Sequence, residues 1–93
     1  MDIGTQIAYI PNHAEGEITH PDTEFGFVTS WNEDPANVFC RFWAKGWPGT
    51  LRTTSCSEST PKANLVEHES VFQERVEEEL IRLGYKSTHN SVG

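Results

Sequence analysis

The sequence predicts a mainly β chain ending in one amphipathic helix, in the form of a small five-stranded barrel with the helix at its C-terminus. Three observations carry that expectation. Short runs of β-branched and aromatic residues recur between turn-forming clusters up to about residue 66. One apolar stripe at helical spacing follows, at Phe72, Val76, Leu80 and Leu83. Finally, 93 residues, 35% of them hydrophobic, supply one core and therefore one domain over residues 1–93. Within it the barrel takes about 3–66, the helix about 71–83, and a frayed polar tail 86–93.

Taken in order, Ile3, Ile7, Tyr9 and Ile10 form a first strand that stops at Pro11, which has no N–H for a ladder. Residues 11–24, PNHAEGEITHPDTE, hold no sustained period and read as a long ordered loop. From Phe25 to Trp31 the residues alternate: Gly26, Val28 and Ser30 share one face, Phe27, Thr29 and Trp31 the other. The cluster from Asn32 to Asn37 is a turn, and strand character resumes from Val38 to Trp43, so the two segments form a hairpin. Gly46, Pro48 and Gly49 mark a loop before a fourth strand from Thr50 to Ser55. Residues 56–63 read as a polar loop, and Asn64-Leu65-Val66 as a helical turn and closing strand. Ser70-Val71-Phe72-Gln73 has the spacing of a capping box, and Gly84 can supply the left-handed residue that ends the helix.

That alternation sets a packing problem. With Val28, Val38, Cys40 and Phe42 inside the barrel, Phe27, Trp31, Phe39 and Trp43 lie on its outer face beside Arg41. Four large rings left in water would make an unusually large apolar patch. The helix stripe is the expected cover, and a second copy of the chain or a partner protein the alternatives.

Charge is uneven. The formal net charge is −7, and residues 1–40 carry Asp2, Glu15, Glu17, Asp22, Glu24, Glu33 and Asp34 without a single Lys or Arg. Arg41, Lys45, Arg52 and Lys62 reverse the sign before acids dominate again from Glu67 onward. Such a surface disfavours duplex nucleic acid and suits a partner protein with a basic surface. No apolar run approaches the length that crosses a bilayer. Met1-Asp2-Ile3-Gly4 has neither the basic nor the apolar region of a secretory leader, which predicts a cytoplasmic protein with Cys40 and Cys56 as free thiols.

The run Ile7-Ala8-Tyr9-Ile10-Pro11-Asn12-His13-Ala14-Glu15-Gly16-Glu17, with His20-Pro21-Asp22, Glu24-Phe25-Gly26-Phe27-Val28-Thr29-Ser30 and Val38-Phe39-Cys40-Arg41-Phe42, resembles a group of short phage and prophage proteins. Those proteins share an opening strand, a His-Ala-x-Gly-Asp/Glu loop, a His-Pro-Asp segment and a Gly-x-Val strand, and most have no assigned function. The resemblance covers roughly the first 42 residues, with Asn64-Leu65-Val66 matching a closing strand. It implies an SH3-like five-stranded barrel and a phage or prophage origin, hence action in the host cytoplasm. The C-terminal helix departs from the shortest members.

Candidate chemistry is sparse. His13, His20, Asp22 and Glu24 lie in one loop and have the donor types of a divalent-metal site, but their spacing fits no established ligand pair, and stitching of the loop by hydrogen bonds is the preferred reading. Ser55, Cys56, Ser57 and His68 offer a nucleophile and a base with no third group to orient them, and Gly46-Trp47-Pro48-Gly49 lacks the Lys-Ser/Thr of a phosphate loop. No cofactor, metal or catalytic role is expected. The leading expectation is a non-enzymatic, phage-encoded accessory protein, similar in size and charge to anti-CRISPR proteins, that inhibits a host defence or nucleic-acid-processing complex. Its contacts are expected at Glu15, Glu17, Asp22, Glu24, Glu33, Asp34, Glu74, Glu77 and Glu78, with Trp43 and Trp47. The alternatives are a nucleic-acid-binding or regulatory barrel using the basic, aromatic stretch from Arg41 to Arg52, and a virion assembly protein.

Overall fold

The computed structural model describes residues 1–53 and 56–87. Six strands form one antiparallel sheet: β1 (Gln6–Tyr9), β2 (Glu24–Trp31), β3 (Asn37–Ala44), β4 (Trp47–Leu51), β5 (Glu58–Pro61) and β6 (Leu65–Glu67). A single helix, α1 (Gln73–Arg82), follows. The strand order is β4-β3-β2-β1-β6, with β5 also on β3.

The expected architecture of five strands in a closed barrel is corrected on both counts. The strand expected from Thr50 to Ser55 begins earlier, at Trp47, and the supposed loop 56–63 contains β5. Both lie along β3: β4 pairs with its end, at Trp43 and Ala44, and β5 with its beginning, from Asn37 to Cys40. Pro48 is tolerated because β4 is an edge strand. Among the described residues β6 pairs only with β1, so the sheet stays open. The last turn and strand are as expected, a 3-10 turn at Lys62–Asn64 leading into β6.

Two cores occupy the two faces of the sheet. Ile7, Val28, Val38, Cys40, Phe42 and Leu65 form one, with Tyr9 packed against them. Phe27, Trp43, Val76 and Leu80 form the other, flanked by Phe25, Leu51, Val71 and Tyr85. The helix therefore covers the outer face through Phe27 and Trp43. Gly26 is required where β2 meets β3, since a Cβ there would lie 2.0 Å from the Arg41 carbonyl oxygen.

Trp31 does not share the outer face. The β2–β3 register slips between Val28 and Ser30, and the extra residue, Thr29, is buried with its hydroxyl bonded to Phe39 O (3.2 Å) and Ser57 Oγ (2.7 Å). This bulge inverts the alternation beyond it, so Trp31 comes opposite Val38 and Phe39 opposite Ser30. Trp31 is 66% exposed, and its Nε1 donates to Met1 O (3.2 Å).

The capping box does not form. Phe72, the N-cap, is 85% exposed and outside the buried stripe, and the Ser70 hydroxyl is buried without a hydrogen-bond partner among the described residues. Gln6 of β1 fixes the chain there instead. Its Oε1 accepts from the Ser70 and Val71 amides (3.0 and 3.2 Å), while its Nε2 donates to Val71 O (2.8 Å) and Gln73 Oε1 (3.1 Å). At the other end Gly84 has φ 85°, its amide donating to Ile81 O and that of Tyr85 to Leu80 O, the paired bonds of a Schellman motif. Lys86, expected in the frayed tail, is tied to Glu77 and to Leu80 O; residues 88–93 of that tail lie outside the described residues.

Candidate binding cleft

The long loop between β1 and β2 is held along its whole length by its own backbone. Ile10 N donates to Asn64 O (2.8 Å), and Asn64 Nδ2 returns bonds to Ile10 O (2.9 Å) and Asn12 Oδ1 (2.8 Å), anchoring the loop's start to the turn before β6. A 3-10 turn at Asn12–Ala14 buries Ala14 and ends with Glu15 in the left-handed region, φ 53°. Successive turns follow, with Glu17 N bonded to Ala14 O, His20 N to Glu17 O and Thr23 N to His20 O. Thr23, buried, also donates its hydroxyl to Glu17 O (3.2 Å).

This winding brings the loop's two ends side by side. His13 Nε2 and Asp22 Oδ2 are 2.7 Å apart, the Asp22 amide donates to His20 Nδ1 (2.9 Å), and the two imidazole rings meet edge to face with centroids 5.3 Å apart. The loop stitching expected of the histidines is thus present in the geometry. The His13 hydrogen bond holds the Asp22 carboxyl below the usual carboxylate range, against an opposing effect of burial and with lesser help from His20, His13 and Lys45.

Across from the loop stands the β3–β4 hairpin, and between them lies a cleft of about 890 Å³. The loop contributes His13, His20 and Asp22 to its wall, and the hairpin contributes Lys45, Gly46 and Pro48. Tyr9 and Phe25 line it as well, with Arg52 and His68; the His68 ring sits 5.2 Å from that of Phe25. A concave, largely apolar site of this size with a few converging polar groups has the character of a ligand or peptide site. Sequence reasoning named the histidines, Asp22 and Lys45 separately, but missed Phe25, Tyr9 and His68 as parts of one surface. The meeting of the loop with a hairpin more than twenty residues later leaves no periodic signal.

The expected contact residues do not gather into one surface. Glu15 and Glu17 are exposed on the long loop. Glu33 and Asp34 are exposed at the β2–β3 turn, at the far end of an eight-residue strand, roughly 25 Å long, from the loop that carries Glu15 and Glu17. Asp34 is engaged in its turn, accepting from Ala36 N (2.9 Å) and Asn37 Nδ2 (3.1 Å). Glu24 is paired with Arg52, which also holds Glu58. On α1, Glu77 pairs with Lys86 and Glu78 with Arg75, while Glu74 is exposed. Trp43 is 4% exposed beneath the helix with the Arg75 guanidinium over its ring, so it serves the core and only an edge of it reaches the cleft. Trp47 is 70% exposed.

Of the other groups singled out, Ser57 Oγ is bonded to Thr29 and to the Tyr85 hydroxyl (2.8 Å), and Ser55 lies outside the described residues. Cys40 and Cys56 are free thiols, the first buried, its thiol pushed up to about 11 by burial against a weaker effect of its hydrogen bond with Thr60. Among the described residues no helix is long and apolar enough to cross a membrane. No protein-family model, curated protein or solved structure matches the chain.

Proposed function

We propose that this protein is a non-enzymatic binding module that holds a segment of a partner protein in the cleft between its long loop and its β3–β4 hairpin. The observation that carries the reading is the cleft itself: an aromatic-lined recess whose loop wall is fastened by backbone hydrogen bonds, so that little ordering remains to be done on binding. The resemblance of residues 4–42 to phage proteins supports a phage-encoded accessory protein acting on a host complex, and inhibition of a defence complex is the form of that action we favour. The long β1–β2 loop and the 3-10 turn before the last strand are consistent with an opened variant of an SH3-like barrel.

Two readings of the sequence, the leading acidic surface and the alternative of nucleic-acid binding, lose support. Partner recognition by a single acidic surface needs carboxylates acting together, yet these are divided between the ends of β2 and several are already paired. Stacking of single-stranded nucleic acid on residues 41–52 needs open rings and cations. There Arg41 and Trp43 are buried and Arg52 is held by two carboxylates, leaving Lys45 and Trp47 at the surface.

Affinity capture from host lysate with two sets of variants tests the proposal. Thr19→Trp, at a residue of the loop that lines the cleft, with Lys45→Glu fills the cleft and reverses its exposed cation; Glu15→Lys, Glu17→Lys and Glu33→Lys reverse the acids without touching the Asp34 turn. The cleft variant should weaken capture by about tenfold or more, and the acid variant by much less at physiological salt. The reverse ranking would transfer the function to the acidic loops.

A further inference from the structure

We propose that His13, His20 and Asp22 form a binding site for a borderline divalent transition-metal ion, zinc in the first instance, with an open coordination position facing the cleft. One ligand atom from each of the three lies within 4.8 Å of the others. Around a tetrahedral ion with bonds of about 2.0–2.2 Å, neighbouring donors stand roughly 3.4 Å apart, so rotations of the rings by small angles close the set. His13 is exposed at the rim, and His20 is half-buried, which leaves both rings room to turn.

The donor chemistry selects the ion. Two imidazoles and one carboxylate suit zinc, cobalt or nickel, and are too poor in oxygen to suit calcium or magnesium. Two backbone features hold the donors: the 3-10 turn that presents His13, and the turn from His20 to Thr23 that carries His20 and Asp22. In the structure His13 Nε2 and Asp22 Oδ2 are hydrogen-bonded to each other, where the ion would sit between them. Ligation through His13 Nε2 takes the place of that hydrogen bond, with the hydrogen of the neutral ring on Nδ1. A neutral His20 whose Nδ1 accepts the Asp22 amide carries its hydrogen on Nε2 and its free ring lone pair on Nδ1, so ligation uses Nδ1 and the ion takes the place of that bond of the loop.

Lys45 opposes the ion. Its Nζ is 4.0 Å from Asp22 Oδ1, but the side chain is 68% exposed and free to swing into solvent. Three protein ligands leave a fourth position, and because all three line the cleft, a donor atom of whatever occupies the cleft can fill it. The site does not depend on the partner-protein reading, since it would be loaded in the isolated protein.

The experiment is titration of tag-free full chain with zinc chloride, read by isothermal calorimetry and by the imidazole resonances in two-dimensional NMR. One saturable equivalent of zinc should bind, the His13 and His20 ring signals should shift while those of His68 stay in place, and the melting temperature should rise with zinc and not with magnesium. His13→Ala, His20→Ala and Asp22→Asn should each weaken binding by about tenfold or more. Asp22→Asn preserves the side chain's shape, so loss of zinc in that variant with an unaltered amide spectrum separates ligation from damage to the loop. Absence of saturable binding, or binding that survives all three substitutions, overturns the proposal.

Discussion

Glu79 shows at the scale of one residue how this acidic chain tolerates its own charge. It is 5% exposed, yet its carboxylate sits between Arg75 (2.6 Å) and Arg82 on the same helix. Burial alone would raise its carboxyl, but the hydrogen bonds from Arg82 and Arg75 outweigh that and hold it below the ordinary value of 4.5. A carboxyl depressed in the folded state stabilises the fold above its unfolded value, and that contribution is lost as pH falls through the lower folded value. Glu79→Gln should therefore lower the melting temperature at pH 7 and flatten its decline as pH falls below 4.5. Some decline will remain, because Asp22 and Glu77 are depressed in the same direction by His13 and Lys86. Equal acid slopes in wild type and variant would show that Glu79 is not among the groups responsible.

At the scale of elements, the helix was legible because its stripe and its terminal Gly84 are local features, and Val76 and Leu80 do lie against Phe27 and Trp43. Its beginning was not legible, since the side chain that fixes it is Gln6, more than sixty residues away. The bulge at Thr29 was hidden for a similar reason: its buried hydroxyl is satisfied by Phe39 and Ser57, and without those partners the strand reads as simple alternation. Leu80 belongs to the legible part and is fully buried. Leu80→Asp places a charge there and removes a packed side chain, which should cost about 3–5 kcal/mol and lower the melting temperature sharply. An unchanged melting temperature would mean that α1 does not cover the sheet in solution.

At the scale of the whole molecule, the sequence's net charge pointed to one acidic contact surface, while the fold divides the acids and pairs several of them. Net charge is a sum over the surface and carries no information on which carboxylates are neighbours, which is why the cleft escaped notice. Its walls come from residues 11–25 and 43–52, with Tyr9 added by β1 and His68 by the segment after β6. The central claim is that this cleft, and not the acidic loops, receives the partner. Hydrogen–deuterium exchange of the protein with and without its captured partner tests that claim most directly. Binding should slow exchange at residues 13–25 and 43–48 and leave the turn at Glu33 and Asp34 and the outer face of α1 as they were. Protection confined to that turn and to the helix around Glu74 and Glu78, with the cleft walls unchanged, would contradict it.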